Sequence, residues 1–142
     1  MAMCKASSSV HFVTRSVRVV RDGSARANWV PNTDVYTTEH GLVIKVELAG
    51  MRSEHLEITV EGNRLKISGN RPDGCRAPNC SFLVMEINYG PFETVLEVPS
   101  GYDLGQAKAS YLNGFLRVDV PLAQGNATST KLPVAEGNSS LL

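Results

Sequence analysis

Short apolar–polar alternation is the feature that most constrains the fold of this 142-residue chain. In the segment GLVIKVELAG, the apolar residues Leu42, Ile44, Val46 and Leu48 occupy every second position. Successive side chains of a strand point to opposite faces, so this period predicts a half-buried β-strand. The same period recurs in LEITVEGN, RLKISGN, PFETVLEVP and FLRVDVP, which are therefore also predicted as strands.

The residues between these segments indicate how the strands are arranged. Gly and Asn separate two strands within 56–69, which predicts a hairpin, and Pro91 and Pro99 bracket a later strand. No helical periodicity is found from residue 34 to the end of the last strand, apart from one possible helical turn at 103–107. The predicted fold class is all-β, an immunoglobulin-like antiparallel β-sandwich.

Composition divides the chain into three parts. Residues 1–28 are predicted to be a flexible basic arm, 29–123 the folded domain, and 124–142 a flexible tail rich in Gly, Ser and Asn. The arm carries only Asp22 against five basic residues, for a net charge of +4: Lys5, Arg15, Arg18, Arg21 and Arg26. A start rich in Ser and Arg is also typical of a transit peptide, which remains an alternative.

Charge, hydropathy and cysteine content narrow the function class. The formal net charge is zero, which argues against a dedicated nucleic-acid-binding protein. No apolar run approaches the roughly 18 residues of a membrane helix, so no membrane partner is expected. The chain has three cysteines and no secretory apolar region, which fits a reducing compartment and predicts a cytoplasmic protein.

No arrangement of residues predicts a catalytic site. The chain lacks the glycine-rich phosphate loops and the nucleophile elbow of known enzyme classes. Cys75 and Cys80 have no second pair to complete a zinc site, so a regulatory disulfide and two unrelated thiols remain open. The three histidines stand alone, without the spacing of metal ligands: His11, His40 and His55. We therefore predict no enzyme activity, catalytic residue, metal or cofactor.

One stretch has the pattern of a known domain. In ASYLNGFL, the residues Ala109, Asn113, Gly114 and Leu116 match the A-x-x-x-n-G-x-L signature of the α-crystallin domain. Three further motifs of the family occur in the right order. ELAG at 47–50 resembles the family's ELPG, and YGPFETVLEVP resembles its Y-G-x-F-x-R-x-F-x-L-P. The tail motif Leu132, Pro133 and Val134 resembles the family's I-x-I/V. The chain is thus identified as a member of the small heat-shock proteins, of the bacterial type, over about residues 30–123 and the tail motif.

Two positions depart from the family pattern. Ala49 stands where the family usually has proline, and Thr94 stands where it commonly has arginine. In the family this arginine usually contributes to ion pairs at an interface. Without it, the usual dimer contacts are expected to be weaker or different.

The resemblance implies a function and a set of contacts. It implies an ATP-independent holdase chaperone of the stress response, which binds partly unfolded client proteins and works as dimers that assemble into larger homo-oligomers. Members often form the dimer by exchanging a strand carried on a long loop, here about 70–88, and the implied exchanged strand is Phe82, Leu83, Val84, Met85 and Glu86. The tail motif would dock in a groove of another dimer, lined by some of Leu56, Ile58, Val60, Ala109 and Tyr111.

The apolar residues of the arm have two open interpretations. They either bind client proteins or pack inside the oligomer. These apolar residues are Val10, Phe12, Val13, Val17, Val19 and Val20. Two alternatives to the holdase also stay open. One is a co-chaperone module of the same fold that binds a large chaperone, and the other is an enzyme that acts through Cys75 and Cys80.

Overall fold

The alternating segments form a sandwich of two β-sheets in the computed structural model, which describes residues 17–20, 28–74, 77–124 and 131–137. In spatial order the first sheet consists of β1 (Arg18–Val20), β6 (Gly90–Glu97), β5 (Arg64–Arg71), β4 (Leu56–Glu61) and β9 (Lys131–Leu132). The second consists of β10 (Val134–Glu136), β7 (Lys108–Leu112), β8 (Phe115–Pro121), β3 (Gly41–Glu47) and β2 (Thr33–Thr38). Neighbouring strands pair antiparallel, except that β10 runs parallel to β7. The predicted all-β sandwich is confirmed.

The core lies between the sheets and is built from the residues that recur with period two. Each of the five predicted strands contributes its apolar face to one cluster, and burial of each such side chain contributes roughly 1.5–3 kcal/mol. Among the most deeply buried side chains are Ile44, Leu48, Ile58, Leu65, Ile67, Phe92, Leu96, Leu116 and Val118. The outward phase carries the charged residues, such as the ion pair between Lys66 and Glu93.

The turn between β7 and β8 explains part of the sequence signature. Asn113 and Gly114 have φ values of 50° and 81°, as a two-residue hairpin turn of type I′ requires. The Gly114 carbonyl accepts a hydrogen bond of 2.7 Å from the Leu48 amide. A Cβ atom on Gly114 would lie 3.1 Å from both the Cα and Cβ atoms of Ala49, so the turn also needs glycine for close approach.

The helical turn predicted at 103–107 is present as a 3₁₀ turn, Leu104–Gln106. The Asp103 carboxylate caps it by accepting a 3.0 Å hydrogen bond from the Gly105 amide. A second 3₁₀ turn, Ser53–His55, was not predicted and lies directly before β4.

Two segments predicted to be flexible are paired in part. Residues 18–20 of the arm pair with β6, and residues 131–136 of the tail pair with β4 and β7. Strand edges have unpaired backbone groups, and added strands satisfy them, which composition alone does not reveal. Val17 packs against the core. The other arm residues with described backbone are Val19 and Val20, whereas Val10, Phe12 and Val13 lie outside the described residues.

Candidate tail-docking site

The tail joins the edge strands of both sheets. In β9, Leu132 is paired with Ile58 of β4, and in β10, Val134 is paired with Ala109 of β7. Pro133 lies exposed between them, at the step from one sheet to the other. Proline has no backbone N–H, so this crossing residue leaves no donor without a partner.

The tail motif is anchored by apolar burial. Leu132 is only 6% exposed and belongs to the core cluster, and Val134 packs against that cluster. All of the residues predicted to line the groove are buried in the same cluster: Leu56, Ile58, Val60, Ala109 and Tyr111. The structure therefore brings the predicted motif and the predicted groove together within one chain. The expected docking of a tail onto another dimer remains a prediction.

Tyr111 fixes the wall of the groove that β7 provides. Its hydroxyl donates a hydrogen bond of 2.5 Å to the Leu48 carbonyl, which ties β7 to the end of β3. Burial raises the pKa of the Tyr111 phenol, so the group remains a neutral donor near physiological pH. The groove wall is thus held by a satisfied polar contact beside the apolar anchors.

The docked tail extends beyond the three-residue motif. The Ser53 hydroxyl donates a 2.8 Å hydrogen bond to the Glu136 carboxylate, and the Gly137 amide donates a 2.9 Å bond to the Tyr111 carbonyl. Sequence reasoning missed these contacts, because Ser53 and Glu136 are 83 residues apart. The sequence offered one signal for a longer docked segment, because Leu132, Val134 and Glu136 follow one another at every second position, as on one face of a strand.

The segment expected to be exchanged between subunits lies outside any strand of the single chain. The side chains of this segment are all exposed: Phe82, Leu83, Val84, Met85 and Glu86. The side chain of Ile87, directly after the segment, is exposed as well. Among the described residues, strand β2 forms one edge of the second sheet, opposite to the edge that β10 forms, and its Tyr36 is also exposed. An apolar segment and a sheet edge are therefore both accessible, while their pairing between subunits remains a prediction.

Arg71 holds the two ends of the loop that carries this segment. Its guanidinium donates hydrogen bonds to the carbonyls of Asn88 (2.7 Å) and Ala49 (3.3 Å). The same group stacks over the ring of Trp29, 4.2 Å from its centroid. Trp29 in turn donates a 3.1 Å hydrogen bond to the Gly90 carbonyl at the start of β6. The loop thus leaves and re-enters the sandwich at one fixed point.

Thr94 is a buried polar residue in the core. It is 3% exposed and lies on the same face of β6 as Phe92 and Leu96, in agreement with the predicted phase. Its hydroxyl has no hydrogen-bond partner among the described residues. The position where the family commonly has arginine therefore carries a neutral, inward-facing group in this chain.

We expect Thr94→Val to raise the free energy of unfolding by about 1 kcal/mol, because the variant keeps the shape and removes a buried hydroxyl without a partner. Chemical denaturation at one fixed protein concentration measures this effect. Thr59→Val on β4, where the side chain is half-buried, is the matched control and should change stability by less than about 0.5 kcal/mol. A Thr94→Val protein less stable than the parent would contradict the assignment.

Several ionisable groups of the described residues form local contacts. His40 lies beside Glu39 and His55 beside Glu54 on the surface. The carboxylate of Asp119 binds the Arg117 guanidinium at 2.9 Å. No group of three or more metal-ligating side chains is present within the described residues. Glu57 and Glu61 lie exposed on the outer face of β4.

The part of the chain that the structure describes contains no helix long and apolar enough to cross a membrane.

Comparisons with known proteins agree with this architecture. The family model described as Hsp20/alpha crystallin family matches residues 34–134. Small heat shock protein C2 from Rickettsia felis is 26% identical over 105 residues, which cover 74% of this chain and 68% of that protein. The 16.9 kDa class I heat shock protein 3 from Oryza sativa is 35% identical over 105 residues, which cover 73% and 69%. In four relatives the matched region makes up 55–69% of the relative's own length.

Among solved structures, hspA from Xanthomonas axonopodis superimposes with a TM-score of 0.63 at 25% identity, covering 70% of this chain and 100% of that one. The family match includes the strands of the sandwich from β2 to β8 and reaches the tail motif at Val134. Both the fold and the docked motif therefore lie inside the matched region, and the chain belongs to the Hsp20/alpha crystallin family.

Proposed function

We propose that this chain is an ATP-independent holdase, which binds partly unfolded proteins under stress and keeps them from aggregating. Small heat-shock proteins are generally chaperones, and the observation that carries the proposal for this chain is its docked tail. Leu132 and Val134 occupy an apolar groove through contacts that are few enough to open. Exposed apolar side chains lie on the loop before β6. In this proposal the chain has no enzymatic activity and acts in the cytoplasm, which the free thiol of Cys80 fits.

The proposed dimer uses the exposed loop. Residues 82–86 would pair with the edge of β2 in a second copy, where backbone donors and acceptors are available for a further strand. The contact would turn alternate side chains of the segment towards the partner's core, and four of its five side chains are apolar and exposed in the single chain. It would also explain why a chain of this size leaves an apolar segment exposed when alone.

The proposed assembly of dimers uses the tail. Two aliphatic anchors contribute roughly 3–6 kcal/mol before the cost of ordering the tail, so a single tail binds weakly. The six residues 125–130 precede the docked segment, and a linker of that length spans at most about 20 Å. A neighbour's tail and the chain's own tail would compete for the same groove, and several tails in one assembly would act at high effective concentration.

The proposed client surface includes the arm. Its apolar residues would meet the apolar surface of an unfolding client, while Val17 packs against the core in the single chain. The arm would therefore release such contacts before it binds, and packing inside the oligomer remains the alternative role.

Aggregation of a heat-labile enzyme, followed by light scattering without nucleotide, tests the proposed function. We expect suppression near one subunit per client, because binding needs exposed apolar surface and no nucleotide chemistry. Serum albumin at equal mass is the control for nonspecific protection, and added ATP should change nothing. Unchanged scattering at severalfold excess of the chain would contradict the holdase proposal.

A further inference from the structure

We propose that the unit recognised by the groove is the seven-residue segment 131–137, in which Glu136 and Gly137 set the register and the three-residue motif supplies the apolar anchors. This inference deepens the proposed function, because it rests on docking of the tail. Its occupant is the tail of this chain, whether from the same or a second copy.

The apolar anchors alone do not define the register. A shift by two residues keeps the strand phase and would place Val134 in the position of Leu132. The same shift would place Glu136 beside Ala109, in the half-buried position that Val134 occupies. Putting a carboxylate there costs free energy unless it finds a partner. Glu136 therefore acts against the slipped register.

Ser53 favours the observed register. The 3₁₀ turn Ser53–His55 holds this half-buried hydroxyl next to the end of β10, 2.8 Å from the Glu136 carboxylate. The nearby cation, Arg52, contacts Glu54 at 3.6 Å instead. A neutral donor thus meets the tail carboxylate, and this bond forms only when Leu132 and Val134 are seated as observed.

Gly137 adds a requirement of shape. Its amide donates to the Tyr111 carbonyl, which continues the pairing with β7 by one residue. A Cβ atom on Gly137 would lie 2.9 Å from the Leu112 Cβ and 3.5 Å from the Ser110 Cβ. A branched or longer side chain at this position would push the end of β10 away from β7. The groove therefore recognises an extended segment with two apolar anchors followed by a carboxylate and a glycine.

Hydrogen exchange of the amides of residues 131–137 in the full chain tests this proposal, because exchange reports how often the tail is undocked. We expect Ser53→Ala and Glu136→Ala each to speed exchange about three- to fivefold, as for a typical net hydrogen bond, because the exposed Glu136 carboxylate is screened by water. The double variant should match either single one, as for two partners of one contact. Gly137→Ala should speed exchange about tenfold or more, through the steric contact.

A charge exchange separates recognition from general packing. Ser53→Asp should open the tail further, since it sets one carboxylate against another, and Glu136→Lys added to Ser53→Asp should restore protection. Glu54→Gln, which removes an exposed carboxylate next to Ser53, is the control and should exchange like the parent. Restoration in the paired variant is a result that a merely structural role of Ser53 would not produce.

The outcomes also distinguish the proposal on the register from the proposal that the tail docks in the groove. If Leu132→Ala with Val134→Ala speeds exchange while the Ser53 and Glu136 variants exchange like the parent, the register proposal is overturned and docking stands. If the double alanine variant of the motif also exchanges like the parent, docking of the tail itself is overturned.

Discussion

Replacing both Leu132 and Val134 by alanine is expected to reduce the assemblies of this chain to dimers. The change removes three carbons from a leucine that is 6% exposed and two from a half-buried valine. At about 0.8 kcal/mol for each buried carbon, the loss is at most about 4 kcal/mol per tail, or about a thousandfold in affinity. An assembly held by several such tails loses each of them at once.

Sedimentation velocity of the full chain at several concentrations measures this loss. Ala135→Ser changes an exposed residue of β10 between the paired positions and should leave the distribution of masses as in the parent. A double alanine variant with the parent's assembly size would show that the tail binds only its own chain, as in the single-chain arrangement. That result would also favour the co-chaperone module, for which the tail has no assembly role.

The alternation of apolar residues was sufficient to predict the sandwich and most of its core. Phe92, Leu96 and Val98 face inward as the period requires, and so does Thr94. The period fails at Val43, which lies on the outward phase yet is 3% exposed. In the sheet it stands between Tyr36 of β2 and Asp119 of β8, and these cross-strand neighbours on both sides cover the valine in a central strand.

The docking site was predictable only in its apolar part. Leu132 and Val134 stand out because they are apolar in a polar tail, and the family resemblance supplies their groove. Ser53 carries no comparable signal: it is one of many serines, and its role depends on a 3₁₀ turn that brings it to Glu136. Contacts between distant polar residues depend on the completed fold, whereas apolar periodicity is a local property of the chain.

Replacing Leu83 and Val84 together by aspartate is expected to convert the dimers of this chain to monomers. Adjacent residues of a strand face opposite sides of the sheet. One of the two aspartates would therefore point towards the core of the sandwich that takes up the segment. Burying a carboxylate without a partner costs several kcal/mol, which is enough to abolish pairing with the partner's β2. In the single chain these side chains are 99% and 73% exposed, so folding of the monomer should be unaffected.

Native mass spectrometry at low protein concentration measures the dimer, and circular dichroism confirms that each variant is folded. Ala77→Asp with Ser81→Asp adds the same charge to exposed positions of the same loop and should stay dimeric. A folded Leu83→Asp and Val84→Asp protein that remains dimeric would contradict strand exchange through residues 82–86. Monomers would mean that this loop maintains the dimer in a chain whose Thr94 supplies no charge to the interface, so the exchanged strand would carry the contact without the family's arginine.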